Sequence, residues 1–130
     1  MGVVRDLLQN VPLPNFYRVT NHMDDTHIQD PAQAVRDALK REGTLERIRP
    51  GSTVCLTAAS REIDNIVLIL RTLVEELKKI GCTPYIVPAM GSHGGATAEG
   101  QRAILTHYGI TEEACGCEIH ASMETGHVGT

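Results

Sequence analysis

The chain has 130 residues, with 12 basic and 16 acidic side chains for a formal net charge of −4, and 42% of its residues are hydrophobic. This length and apolar content predict one compact domain over residues 1–130. The acidic balance and the 3% aromatic content disfavour nucleic acid as a partner, because phosphate binding needs a basic surface. The longest apolar run, residues 66–70, is too short to cross a bilayer, and no basic apolar leader precedes it. We therefore expect a soluble cytoplasmic protein with no membrane partner.

The four cysteines are expected to be free thiols, because a cytosolic chain is kept reduced. Cys115 and Cys117, with His120 three residues later, offer ligand types that bind zinc. Structural zinc sites usually pair cysteines two to four residues apart and add a second pair elsewhere. The spacing in this chain does not match that pattern, so we predict no metal site.

The N-terminal third carries the weakest signals. Residues 1–13 contain a proline and predict an arm that leads into a short strand at 15–21. Asp30 followed by Pro31 is a typical helix start, because Asp caps the first turn and Pro fits its first position. We expect a helix over 32–41 that a glycine ends.

Two β-prone runs flank an amphipathic helix in the middle of the chain. Residues 53–59 are an uninterrupted β-prone run, which predicts a strand buried on both faces. Over residues 62–80 the apolar positions recur at intervals of three and four, which predicts an amphipathic helix, and Ser60 is placed to cap it. Residues 82–89 predict a second buried strand.

The remaining residues complete an alternating pattern. A glycine-rich turn at 91–96 leads into a helix at 97–108, and residues 117–123 predict a last strand. A strand, a crossover helix and a second strand form a βαβ unit, in which the strands are parallel. The fold class we expect is therefore α/β, with a three-layer, open, mostly parallel sheet built on the βαβ unit in a Rossmann-like arrangement.

Two turns follow the carboxyl ends of the predicted strands, where open α/β sheets bind their ligands. Arg61 follows the first strand, and its guanidinium offers paired donors for a carboxylate or phosphate. An equal alternative is that Arg61 bends into solvent or pairs with Glu62 or Asp64. His93 follows the second strand among glycines, and a histidine is the usual general acid or base near neutral pH. The alternative for His93 is packing over a tight turn. We expect both side chains to open onto the same edge of the sheet.

The glycine-rich turn belongs to a longer motif. Residues 88–101 read Pro-Ala-Met-Gly-Ser-His-Gly-Gly-Ala-Thr-Ala-Glu-Gly-Gln, and the pattern continues over 108–113 as Tyr-Gly-Ile-Thr-Glu-Glu. Together with Ser60 and Arg61 upstream, these residues resemble the signature of the nickel-dependent lactate racemase family. That family interconverts the two enantiomers of a 2-hydroxy acid. Its cofactor is a nickel pincer nucleotide, which takes a hydride from the substrate while a histidine removes the hydroxyl proton.

The resemblance implies roles for individual residues. His93 resembles the first of two catalytic histidines that exchange the hydroxyl proton, and Arg61 resembles the arginine that holds the substrate near the cofactor. Contacts to the cofactor are implied for Ser60, Gly91, Ser92, Gly94, Gly95 and Thr97.

The chain departs from the family in two respects. Ala58 stands where lactate racemases usually have an Asp that contacts the cofactor, so the hydroxy acid is left open. In the family, the second catalytic histidine, the lysine that carries the cofactor and the histidine that binds nickel lie downstream in a much longer chain. We therefore expect this chain to be the N-terminal part of a longer racemase-like protein, a 2-hydroxy-acid racemase or epimerase. Its partner would be the missing C-terminal part. On its own it is expected to be inactive and to retain no cofactor.

A second function class stays open. The same two turns could form a non-catalytic α/β domain that binds a nucleotide phosphate or another small anion. Association of the chain with further copies of itself is also left open. Fold analogy alone does not separate these alternatives, because α/β sheets carry many chemistries.

Overall fold

The computed structural model describes residues 3–12, 14–60 and 63–126 of the chain. Two 3₁₀ turns, at Leu45–Arg47 and His93–Ala96, interrupt the longer elements. The helices and strands follow one another in the order α1 (Val3–Leu8), α2 (Pro31–Arg41), β1 (Thr53–Ala58), α3 (Ile66–Lys79), β2 (Thr83–Pro88), α4 (Ala98–His107), α5 (Glu112–Cys115) and β3 (Glu118–Ile119).

The three strands form one open parallel sheet in the order β1-β2-β3. Strand β1 pairs with β2 over its whole length, so that Thr53 lies opposite Thr83 and Ala58 opposite Pro88. Strand β3 pairs with β2 through Ile119, which lies opposite Ile86. The α/β class and the parallel βαβ unit are thereby confirmed. The last strand is shorter than the predicted range of 117–123.

The sheet has one buried and one open face. In β1 the side chains of Val54, Leu56 and Ala58 are half-buried or buried, whereas those of Thr53, Cys55 and Thr57 are exposed. The prediction that this strand is buried on both faces is wrong. Successive right-handed crossovers that move the same way along a sheet place their helices on the same face, which explains the one-sided burial.

The core lies between that buried face and the helices. Ile86 of β2 and Leu105 of α4 are fully buried, and Leu70 of α3 packs in the same cluster. Among residues 3–12, 14–60 and 63–126, no helix lies over the open face, whose β1 positions stay exposed. A third layer, and with it the Rossmann-like arrangement, therefore stays a prediction.

Helix α2 begins as predicted and α3 does not. Asp30 caps α2 by accepting a hydrogen bond from the Gln33 amide at 2.9 Å, and Pro31 is its first residue. Helix α3 begins at Ile66 with Asn65 in its capping position, so the prediction that Ser60 caps a helix over 62–80 is wrong. Asn65 has a left-handed backbone with φ of 57°, which separates the turn after β1 from the helix.

The N-terminal third differs from the prediction. Residues Val3–Leu8 form a short helix, and the predicted strand at 15–21 does not form. The side chains of Phe16 and Tyr17 are more than 80% exposed, so no described neighbour offers this segment an apolar surface. A strand needs a paired neighbour to satisfy its backbone groups, and local β-propensity does not supply one.

None of the helices in the described ranges combines the length and the apolar character that crossing a membrane requires.

Helix α2 is held on α3 by a small charge network. Glu76 accepts hydrogen bonds from Arg36 Nε at 3.2 Å and from Lys79 Nζ at 2.6 Å. The hydrogen bond from Lys79 lowers the pKa of the Glu76 carboxyl below its ordinary value of 4.5, and Arg36 adds to this effect against the opposing effect of burial. The ionised form of Glu76 is therefore favoured in the folded chain.

Glu76→Gln is expected to destabilise the fold at pH 7 by about 1 kcal/mol or less, since partly exposed ion pairs contribute on that scale. Because the folded pKa is lowered, the contribution of Glu76 is present above pH 4.5 and is lost as the pH falls through the folded pKa. Urea denaturation of the wild-type protein and of Glu76→Gln between pH 7 and pH 3 measures the difference in their free energy of unfolding. Glu124→Gln, in the exposed C-terminal segment, is the matched control. A stability difference that does not shrink at low pH would contradict this account.

Candidate functional site

The turns after β1 and β2 meet at the carboxyl edge of the sheet. The Ala89 amide donates to the Ala58 carbonyl oxygen at 2.8 Å, which continues the pairing past the end of both strands. Beyond it, His93 Nδ1 and Ser60 Oγ lie 2.8 Å apart, although the two residues are 33 positions apart in the chain. Arg61 lies outside the described residues. The structure thus brings together Ser60 and His93 of the residues that the sequence singled out.

The loop that carries His93 is shaped by glycine. Gly94 and Gly95 have φ of 65° and 69°, a region that glycine enters without strain. A Cβ atom on Gly94 or on Gly100 would come closer than 3.0 Å to the backbone of the other residue. Glycine at positions 94 and 100 therefore allows the backbone of the loop to lie close to the backbone of the first turn of α4. This approach fixes the position of His93 relative to that helix.

Two polar side chains fasten the same loop. Thr97 caps α4 by accepting from the Gly100 amide at 3.0 Å, and its hydroxyl donates to the Gly94 carbonyl at 3.1 Å. Gln101 is buried, and its Nε2 donates to the Gly91 carbonyl at 2.7 Å. Both side chains have a structural task in this loop. Sequence reasoning missed Gln101, although a polar residue on the buried face of a helix was the available signal.

The other loop residues that the resemblance connects with the cofactor lie at the surface. Gly91, Ser92 and Gly95 are exposed. A Cβ atom on Gly91 or Gly95 would meet no atom within 4 Å. An incoming molecule can therefore approach the loop at these positions. Of the six residues implied as cofactor contacts, Gly91, Gly94 and Thr97 are engaged in holding the loop itself.

A cavity of about 500 Å³ opens beside His93. Its far wall comes from the second half of α4 and the residue after it, which the sequence analysis did not connect with the site. The rings of His107 and Tyr108 lie 5.4 Å apart, edge to face. The cavity is lined by Ser60, His93, Gly94, Ala103, Ile104, His107 and Tyr108.

The Ser60–His93 pair is suited to proton transfer. A serine hydroxyl can donate to Nδ1 or accept from Nδ1–H, so it can hold the ring with the proton on either nitrogen. In the described part of the chain, Nε2 of His93 has no hydrogen-bond partner, and the side chain is exposed. The pair can thus orient the imidazole while Nε2 accepts or donates a proton.

Metal ligands are not clustered in the residues that the structure describes. No group of three or more His, Cys, Asp or Glu side chains is placed to hold an ion within those ranges. The cysteines are all free, and Cys115 is buried in the core. Burial raises the pKa of the Cys115 and Cys117 thiols, so both favour the neutral form in the folded chain.

Comparison with protein-family models, with curated proteins and with solved structures found no match. The resemblance described above therefore depends on the motif residues themselves.

Gly100→Ala is expected to destabilise the fold by about 1–3 kcal/mol, because the added methyl group overlaps the Gly94 backbone. Helix propensity alone predicts the opposite, a gain of about 1 kcal/mol. Thermal or urea denaturation measures the change. Gly126→Ala is the control, since a Cβ atom there meets nothing within 4 Å. A Gly100→Ala protein as stable as the control would contradict the close approach.

Ser60→Ala is expected to change the tautomer balance of His93, because Nδ1 loses its partner. Long-range ¹H–¹⁵N spectra of the imidazole measure this directly: Nδ1 and Nε2 shifts should move towards those of a free histidine ring. Ser92→Ala is the matched control, since Ser92 adjoins His93 and is exposed. Unchanged His93 shifts in Ser60→Ala would contradict the contact.

Proposed function

We propose that this chain forms part of the active site of a cytoplasmic 2-hydroxy-acid racemase or epimerase similar to the nickel-dependent lactate racemases. The observation that carries the proposal is the 2.8 Å contact between Ser60 Oγ and His93 Nδ1 at the carboxyl edge of the parallel sheet. It joins the two turns that carry the family-like residues and leaves Nε2 without a hydrogen-bond partner among the described residues. The proposal also includes a three-layer, Rossmann-like arrangement of the sheet and its helices.

His93 is the proposed acid and base. Its Nε2 accepts the proton of the substrate hydroxyl and returns that proton in the reverse step. Ser60 holds the ring during both steps, because its hydroxyl can act as donor or acceptor towards Nδ1. Ser60 is thus a positioning residue in this proposal. The resemblance implies a second role for Ser60, as a contact to the cofactor.

Arg61 is the proposed carboxylate-binding residue. It directly follows Ser60 in the chain, and a guanidinium pairs with both oxygens of a carboxylate. Binding at the carboxylate would leave the hydroxyl of the same substrate to His93. The proposal therefore assigns the two ends of a 2-hydroxy acid to two neighbouring turns.

The described residues do not fit the nickel ion that the resemblance implies. No cluster of three potential ligands is present in the ranges that the structure describes. Loss of a hydride from the substrate carbon needs an acceptor, and these residues supply none. The proposal for this chain is thus limited to substrate binding and to proton transfer by His93.

The test is the interconversion of enantiopure 2-hydroxy acids by the protein produced from its own gene in its source cell, followed by chiral chromatography. His93→Ala is expected to lower the turnover rate about 10²–10⁴-fold, the usual contribution of a positioned acid or base. His22→Ala is the matched control and should retain turnover, because His22 is exposed and does not line the cavity. His93→Gln separates loss of the proton carrier from loss of the ring's volume and hydrogen bonding.

Two results would count against the proposal. Turnover at the original rate in His93→Ala would remove its central residue. Binding of a nucleotide or phosphate without any hydroxy-acid turnover would favour the anion-binding domain instead.

A further inference from the structure

The cavity beside His93 has two chemically different sides. Ser60 and His93 present hydroxyl and imidazole groups on the side of the strand ends. Helix α4 and the residue after it present Ala103, Ile104 and the rings of His107 and Tyr108 on the other side. A ligand held at His93 therefore faces a mostly apolar wall.

Of that wall, Ile104 packs against the hydrophobic core. Leu105 and Gln101 of α4 are buried and face the sheet and the loop, whereas Ala103 and Tyr108 are exposed and Ile104 is only half-buried. Residues one turn apart share a face of a helix, and 103, 104, 107 and 108 form such a stripe.

The cavity is also larger than a lactate molecule requires. Its volume of about 500 Å³ lies in the range of pockets that enclose drug-sized ligands, while lactate has only six heavy atoms. The methyl group of lactate would leave most of the apolar wall in water. A longer apolar substituent would cover it, and each buried methylene strengthens binding about fourfold.

We propose that the α4 wall selects 2-hydroxy acids whose side chain is apolar and larger than a methyl group, with Ala103 and Tyr108 as the specificity-determining residues. This inference rests on the proposed function, because it takes His93 as the group that binds the hydroxyl. The carbon substituent then points away from the strand ends and along Ala103, Ile104 and Tyr108.

A dicarboxylic hydroxy acid is the competing substrate class. It needs a cation on the far side of the cavity, and within the described lining His107 is the side chain there that can carry a positive charge. The His107 ring lies edge to face against Tyr108, with centroids 5.4 Å apart, so it is part of the aromatic wall. The apolar class therefore fits the wall better.

The test titrates the ¹⁵N-labelled 130-residue chain at pH 8 with lactate, malate and 2-hydroxy-4-methylpentanoate, and follows the amide and methyl signals of His93 and Ile104. The branched acid has three carbons more than lactate and is expected to bind about 10- to 60-fold more tightly. Ala103→Trp fills the cavity from an exposed helix position and should abolish this preference. Thr106→Trp is the matched control, because Thr106 is exposed on the same helix and does not line the cavity.

The outcomes separate this inference from the proposed function. Lactate or malate binding as tightly as the branched acid, no binding of the branched acid, or an Ala103→Trp protein with an unchanged preference would each overturn the inference. The first of these results would leave the proposed function standing. If 4-methylpentanoate, which lacks the hydroxyl group, binds as tightly as its 2-hydroxy derivative, the wall is supported but the role of His93 is contradicted.

Discussion

The parallel pairing of β1 with β2 is the constraint on which the rest of the site depends. The two strands are in register from Thr53 and Thr83 to Ala58 and Pro88, so both end at the same level. Two turns that are far apart in sequence therefore begin side by side. A register shift of one residue would reverse the faces of the sheet side chains and move the turns apart along the strands, which would separate Ser60 from His93.

A second constraint acts on the loop itself. The close approach of Gly94 and Gly100, together with the hydrogen bonds of Thr97 and Gln101, fixes His93 against α4. Much of the glycine-rich motif is thus used to build a rigid support for one histidine. This support explains how a loop with little apolar surface can hold an exposed imidazole in a defined place.

The two faces of the sheet differ because the chain crosses from strand to strand on one side of the sheet. Both crossover helices lie on one face, where Ile86 and Leu105 are fully buried, while Cys55 and Thr57 remain exposed on the other. The site lies at the edge between these faces. Helix α4 forms one wall of its cavity, so the helix that stabilises the core with Leu105 also lines the cavity with Ala103.

Local patterns in the sequence were sufficient for the βαβ unit, the start of α2 at Pro31 and the helix after the glycine-rich turn, because periodicity and capping are local properties. They also identified His93 and Ser60 as residues at strand ends. They could not show the exposed face of β1, the late start of α3 or the role of Gln101, since each depends on which neighbour packs against the element. Nor could they connect Tyr108 with His93, because the cavity between them exists only once the loop is folded onto α4.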